Sequence, residues 1–131
     1  MKLEKQVVSL ELSKKLKELG VKQDSLFYWH TNKHGHPEFI RQTKENEGSL
    51  TDLETHSAFT VAELGEMLPF GAKSYVGSHS NDLKVIIWVT EYHSVSDDWE
   101  CGDEKFAKTE ADARAKMLIY LIENKLIKLA D

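Results

Sequence analysis

The chain has 131 residues, of which 40% are hydrophobic and 30% charged, and its formal net charge is −5. This length suits one compact domain over residues 1–131, which can bury an adequate core without a metal or a disulfide. The single cysteine, Cys101, excludes an internal disulfide, and no apolar run is long enough to cross a bilayer. The sequence therefore predicts a cytoplasmic protein with no membrane contact and no cofactor.

A lysine-rich helix is the first element that the sequence predicts, over residues 9–19. Ser9 supplies the capping side chain, and Gly20 supplies the left-handed residue that ends the helix. Three leucines, spaced four and three residues apart, form the apolar face: Leu12, Leu16 and Leu19.

A β-hairpin is predicted to follow this helix. Residues 25–30 are rich in aromatic side chains and predict one strand, and residues 38–43 predict the strand that returns beside it. Between them, residues 31–37 contain the Asn, Gly and Pro that are typical of a chain reversal. The polar residues 44–55 then predict a long surface connection.

A short second helix is predicted over residues 61–68. Thr60 and Glu63 have the spacing of a capping box, and Pro69 ends the helix because it lacks a backbone N–H. Residues 70–82 predict a second loop, since they are rich in glycine, serine and asparagine.

The second half of the chain predicts two strands and a helix. Residues 83–92 form the strongest strand, and the apolar run 85–89 is typical of a central strand buried on both faces. Residues 99–107 are expected to pair back as an edge strand. A helix with a threonine cap covers residues 109–123 and should end at Asn124 in the left-handed conformation.

Together these elements predict an α+β fold in the order αββαββα. Because both strand pairs are hairpins, about four strands should form a mainly antiparallel sheet with the first and last helices packed on it. We expect seven side chains to be buried in this arrangement: Leu16, Trp29, Val85, Ile87, Trp88, Leu118 and Ile122.

Charge is unevenly distributed along the chain. Residues 91–112 hold eight acidic and two basic side chains, whereas residues 1–22 hold six lysines and three glutamates. Such a division favours complementary contacts with a protein partner. Alternatively, the lysines of the first helix contact nucleic-acid phosphates while an aromatic ring stacks on a base. The candidate partner surface consists of Lys14, Lys15, Lys17, Tyr28 and Trp29, to which the nucleic-acid interpretation adds Lys22.

Three histidines lie around the first predicted turn: His30, His34 and His36. Three imidazoles can bind zinc, and Glu38 could then act as the general base of a metal-dependent hydrolase. Gly35 and Pro37 leave the ring directions unspecified, however, so polar histidines at a hairpin tip are the favoured interpretation. We expect no bound metal.

Two other catalytic or ion-binding interpretations are disfavoured. A nucleophilic Cys101 with His93 as its base would need a thiolate, which the acidic neighbours Glu100 and Asp103 disfavour. The acidic run 97–104 lacks the alternating oxygen ligands of a calcium loop and the bidentate glutamate that ends such a loop. The sequence therefore predicts no catalytic residue.

Three stretches of the chain are distinctive as strings: KKLKELGVKQDSLFYW (14–29), SAFTVAELGEMLP (57–69) and TEADARAKMLIYLIENKLI (109–127). They resemble the signature blocks of a family of small uncharacterised proteins encoded by bacterial phages and prophages. The resemblance covers over a third of the chain, implies an origin in mobile genetic elements and carries over no catalytic residue. It favours a non-enzymatic accessory protein that binds another, unidentified protein, and it leaves the oligomeric state open.

Overall fold

The computed structural model of the chain describes residues 2–32, 34–41, 55–80, 85–92 and 103–129. Within these ranges, a 3-10 turn at Leu3–Lys5 precedes three α-helices and six strands. The helices are α1 (Leu10–Glu18), α2 (Val61–Met67) and α3 (Glu110–Glu123). The strands are β1 (Phe27–Thr31), β2 (Pro37–Arg41), β3 (Thr55–Ser57), β4 (Ala72–Ser80), β5 (Val85–Tyr92) and β6 (Asp103–Ala107).

The strands form two antiparallel sheets of three strands each, so the predicted α+β class is confirmed. Sheet 1 has the order β2-β1-β3, and sheet 2 has the order β4-β5-β6. The predicted order αββαββα lacks two of these strands, and the predicted single sheet is in fact two. The strand β3 has only three residues and follows a polar segment, which gives it no strand signal of its own.

The strand β4 lies where the sequence predicts a loop over residues 70–82, and that prediction is wrong. Polar residues of this segment occupy an edge position of sheet 2, where one neighbour, β5, supplies the backbone partners. The pairing shifts register between Val76 and Ser78, and this β-bulge contains Gly77. A segment rich in glycine and serine can therefore form an irregular strand as well as a loop.

Of the two predicted ends of the first helix, only the C-terminal one is confirmed. Gly20 has a φ of 92°, and the Val21 N–H donates to the Leu16 carbonyl at 3.1 Å, which confirms the predicted stop. At the other end, the Ser9 side chain makes no capping hydrogen bond. The Ser9 backbone N–H donates instead to Asp112 Oδ1 at 2.8 Å, which ties the start of α1 to the first turn of α3.

The predicted N-terminal caps of the other two helices are both present. Thr60 and Glu63 form the expected capping box at the start of α2. At the start of α3, Thr109 Oγ1 accepts a hydrogen bond from the backbone N–H of the third helical residue, 3.2 Å away. The left-handed residue after α3 is Lys125, with a φ of 57°, rather than Asn124, whose φ is −94°.

The core lies where the three helices meet. Helix α3 packs across sheet 2, α1 contacts β3 of sheet 1, and both α1 and α2 contact α3, so the helices connect the two sheets. Buried alanines of α3 allow this close packing. The buried cluster at the junction consists of Val8, Leu16, Val21, Phe59, Leu64, Ala111, Ala115, Leu118 and Ile119.

Two of the seven side chains predicted to be buried, Leu16 and Leu118, are fully so. The side chain of Val85 lies outside the described residues, and the remaining four are only half-buried: Trp29, Ile87, Trp88 and Ile122. The strand β5 is central in its sheet, as predicted, but it is not covered on both faces over its whole length, because Ile86 is exposed. In the part of the chain described, no helix is long and apolar enough to cross a bilayer.

The Ser9–Asp112 hydrogen bond leads to a prediction about stability. The variant Asp112→Ala should lower the free energy of unfolding by roughly 1–2 kcal/mol, because it leaves a partly buried N–H without an acceptor. Asp112→Asn, which keeps an acceptor oxygen, should lose less. Urea denaturation measures both, with Asp24→Ala at an exposed aspartate as the control; equal stability of Asp112→Ala and Asp24→Ala would contradict the prediction.

Candidate functional site

An open apolar groove lies between sheet 2 and the N-terminal turn. Its volume is about 700 Å³, and its apolar lining comes from Leu3, Val61, Ala62 and Trp88. Three charged side chains also line it: Lys5, Glu110 and Arg114. We call this feature the Trp88 groove.

Sheet 2 contributes Trp88 to the lining of the groove, and two exposed apolar side chains lie beside it on the same face of the sheet. Val76 lies directly across from Trp88 in the β4–β5 pairing, and Ile86 precedes Trp88 by two residues, so all three side chains lie on one face. On that same face, Thr90 is fully buried. Val76 and Ile86 are 46% and 50% exposed, and Leu3 on the facing wall is 45% exposed. An apolar strip therefore continues beyond the helix into solvent.

The wall opposite Trp88 is held in place by backbone pairing. Val7 forms an antiparallel bridge with Thr60, and the Val8 N–H donates to the Phe59 carbonyl at 2.9 Å. The Val61 N–H donates to the carbonyl of Gln6 at 3.3 Å. The 3-10 turn and the start of α2 consequently form one continuous wall, which fixes Leu3 relative to Trp88.

Arg114 connects the elements around the end of the groove where α3 begins. Its Nη1 donates to the Val61 carbonyl at 2.8 Å, its Nε donates to Ser74 Oγ at 2.9 Å, and its Nη2 lies 3.2 Å from Glu110 Oε2. A Cβ at Gly65 would lie 2.3 Å from Nη1, so the missing side chain leaves room for the guanidinium. Arg114 therefore joins α2, α3 and β4 around the groove.

The opposite face of sheet 2 is more polar. Tyr75, Val89 and Phe106 lie side by side on it, and Phe106 is 52% exposed. The Tyr75 hydroxyl donates to Glu91 Oε2 at 3.1 Å, and this hydrogen bond raises the pKa of Tyr75 above its ordinary value. Lys73 Nζ lies 3.2 Å from the other carboxylate oxygen of Glu91. The exposed aromatic residues of this face provide control positions for substitutions in the Trp88 groove.

The lysines of the predicted partner surface are partly engaged within the domain. Lys14 is exposed, whereas Lys15 Nζ lies 3.7 Å from a carboxylate oxygen of Glu123. Lys17 Nζ donates to the Thr55 carbonyl at 2.7 Å, which fastens α1 to sheet 1. Lys22 is exposed and is one of the residues that line a second cavity.

The two aromatic residues of that surface lie on opposite faces of β1, because side chains alternate along a strand. Tyr28 is only 4% exposed, and its hydroxyl donates to the Gln23 carbonyl at 3.4 Å, so the predicted partner surface does not include its ring. Trp29 is half-buried; its Nε1 donates to the Val8 carbonyl at 2.8 Å, and its ring packs on Phe39. The ring of Tyr28 is therefore not accessible for stacking on a base, as the nucleic-acid interpretation proposes.

The three predicted histidine ligands have separate environments. His30 Nδ1 lies 2.9 Å from Thr55 Oγ1, while His34 and His36 are exposed in the hairpin turn, where their backbone N–H groups donate to Asn32 Oδ1. Glu38 accepts a hydrogen bond from the Asn32 side chain at 2.9 Å. Among the described side chains, no three His, Cys, Asp or Glu residues form a group that could hold a metal ion.

The remaining sequence candidates lie mainly outside the described residues. These are His93, Cys101, Asp97, Asp98 and Glu100. Asp103 and Glu104 are described, and both are exposed in β6.

Comparison with protein-family models, with curated proteins and with solved structures gave no match. The function of the Trp88 groove is therefore inferred from the geometry of the groove. Sequence analysis missed it, because the sequence predicts that Trp88 is buried and that Val76 lies in a loop. No local signal in the sequence marks the groove, because the exposure of Trp88 depends on where the neighbouring elements end.

Proposed function

We propose that this domain is a non-enzymatic accessory protein that binds an apolar segment of another protein in the Trp88 groove. The observation that carries the proposal is the open groove lined by Trp88 and Leu3, beside which Val76 and Ile86 are exposed on the same sheet face as Trp88. Large neighbouring apolar side chains in contact with water are typical of interaction sites.

The composition of the groove matches the energetics of protein interfaces. Tryptophan and arginine are enriched among the residues that contribute most to binding, and both Trp88 and Arg114 line this groove. Trp88 is half-buried in the free domain, so its orientation is already restricted and little side-chain entropy remains to be lost on binding. The resemblance to small uncharacterised proteins encoded by phages and prophages favours the same class of function.

The proposal predicts capture of a partner that depends on Trp88. A photo-crosslinking amino acid at position 62, an exposed position in the groove wall, should join the folded domain to one protein from extracts of the cells in which it is made. Trp88→Ala should weaken binding of the purified partner about thirtyfold, because truncating a central aromatic anchor costs about 2 kcal/mol or more.

Two controls make this experiment decisive. Phe106→Ala removes an exposed aromatic ring from the other face of sheet 2 and should leave the affinity unchanged. Circular dichroism must show that both variants are folded. Equal loss in the two variants, or equal affinity of Trp88→Ala and the parent domain, would refute the proposed site. Crosslinks to nucleic acid in place of protein would support the alternative interpretation.

A further inference from the structure

A second cavity lies between α2, α3 and the residues that follow α3. Its volume is about 470 Å³, within the range of pockets that bind small molecules. It shares no described lining residue with the Trp88 groove. We call it the Leu118 cavity, after the residue of α3 that lines it.

Apolar side chains of the core reach the Leu118 cavity. Val21, Phe59 and Leu118 line it, and they are 6%, 2% and 1% exposed in the buried cluster at the helix junction. Met67 and Ile127 also line the cavity and pack against the same cluster. Because close packing fixes these side chains, the apolar surface is formed before any ligand enters.

The residues after α3 fold back and line the cavity as well. The Leu126 N–H donates to the Leu121 carbonyl at 2.9 Å, which reverses the chain direction where the helix ends. Ile127 then packs against the core cluster, and Leu129 Cδ1 lies 3.5 Å from the position of a Cβ at Gly20. Apolar contacts therefore hold this wall against the turn that ends α1.

Two carboxylates of α2, those of Glu63 and Glu66, line the same cavity. Residues three apart on a helix are neighbours on its surface, so the two negative charges lie close together and repel each other. The Glu63 carboxylate is fixed, because Oε1 accepts from the Thr60 N–H at 3.0 Å and Oε2 accepts from the Leu26 N–H at 3.2 Å. Glu66 is exposed and has no hydrogen bond or ion pair with a described residue. A bound cation would complement this pair.

The other charged residues of the cavity leave this preference in place. With Asp24 the lining has three acidic side chains, and it has two basic ones, Lys22 and Lys128, so its formal net charge is −1. The two lysines are exposed and come from separate segments. Long lysine side chains can keep the ammonium group in water while the hydrocarbon stem covers apolar surface.

We propose that the Leu118 cavity binds a small organic cation, an amine with an apolar body. The hydrocarbon part lies on Phe59 and Leu118 and supplies most of the affinity, because apolar surface leaves water on both sides of the contact. The ammonium group donates to the carboxylates of Glu63 and Glu66 and orients the ligand. The inference goes beyond the proposed function and is independent of it, since the Trp88 groove is lined by other residues.

The cavity is tested with three probes of one chain length: hexylamine, 1-hexanol and hexanoate. Each is added to the full chain at neutral pH, and the methyl signals of Met67 and Leu118 are followed by NMR. Hexylamine should shift these signals saturably and bind about threefold or more tightly than hexanol, and hexanoate should bind most weakly. The indole signal of Trp88 should stay unchanged.

Two variants separate the charge from the apolar surface. Glu66→Gln should reduce the affinity for hexylamine to about that for hexanol and leave hexanol binding unchanged; Glu63 is not replaced because it also caps α2. The control Glu11→Gln, at an exposed acid of α1 outside the cavity, should keep the preference for the amine. Met67→Trp, which places a larger side chain in the cavity, should abolish binding of all three probes while circular dichroism shows a folded domain.

Two results would overturn the inference. One is the absence of saturable shifts at Met67 and Leu118 with any of the probes, which would mean that the cavity holds no apolar ligand. The other is hexanoate binding as tightly as hexylamine, or an amine preference that Glu66→Gln leaves intact, which would mean that the carboxylates of α2 do not select a cation.

Discussion

Replacing Phe59 with alanine should lower the free energy of unfolding by about 3–5 kcal/mol, the range for truncating a fully buried aromatic ring. Phe59 is 2% exposed and belongs to the buried cluster at the junction of the three helices. Its ring lies between the segments that carry Leu16, Leu64 and Leu118, so the cavity cannot close by the movement of one element. The backbone hydrogen bond from Val8 to its carbonyl is retained in the variant.

Urea and thermal denaturation measure this loss directly. The matched control is Phe106→Ala, which removes the same ring from a site that is 52% exposed and should change stability by well under 1 kcal/mol. Because the domain is small, a loss of this size should also lower Tm by more than about 10 °C. Similar stabilities for the two variants would show that the core does not lie at the helix junction.

The helices could be predicted from the sequence because their signals are local. The Thr60–Glu63 capping box and the Gly20 stop involve contacts within one turn, and both occur in the structure as predicted. Ser9 makes no side-chain cap, and its backbone N–H donates to Asp112 Oδ1. Asp112 is 103 residues away in the chain, so this contact leaves no trace in the local pattern.

The strands were predicted less completely because a strand depends on its neighbours. β1 and β5 carry long apolar runs and could be recognised alone, whereas β3 and β4 are strands only because partners lie beside them. The division into two sheets follows from pairings that no local pattern specifies. As a result, the sequence predicts the α+β class and misses the number of strands.

The candidate site depended on information that the sequence does not contain. The composition of residues 85–89 shows that β5 is apolar, but not which part of it the last helix covers. The same limit applies to β1, where a run of aromatic residues does not reveal that Tyr28 lies in the core and Trp29 at a half-buried site. Exposure of an apolar residue is a tertiary property, since it is set by the place where a neighbouring element ends.

The bulge in β4 directly follows Val76, the cross-strand neighbour of Trp88, and its glycine has little room. A Cβ at Gly77 would lie 2.1 Å from Val89 Cγ2, far inside van der Waals contact. Val89 is 3% exposed in the central strand, so its side chain has few alternative positions. Gly77→Ala should therefore lower the free energy of unfolding by about 1–3 kcal/mol, even though the same change is stabilising where space allows it.

A double-mutant cycle with Val89→Ala tests the cause of this loss. Val89→Ala removes the Cγ2 atom that a Cβ at residue 77 would meet, so adding Gly77→Ala to it should cost far less than in the parent domain. The expected interaction free energy is about 1 kcal/mol or more in favour of the double variant, measured by urea denaturation. Additive losses would mean that Gly77 is required for the backbone shape of the bulge, and the close approach to Val89 would then have no energetic consequence.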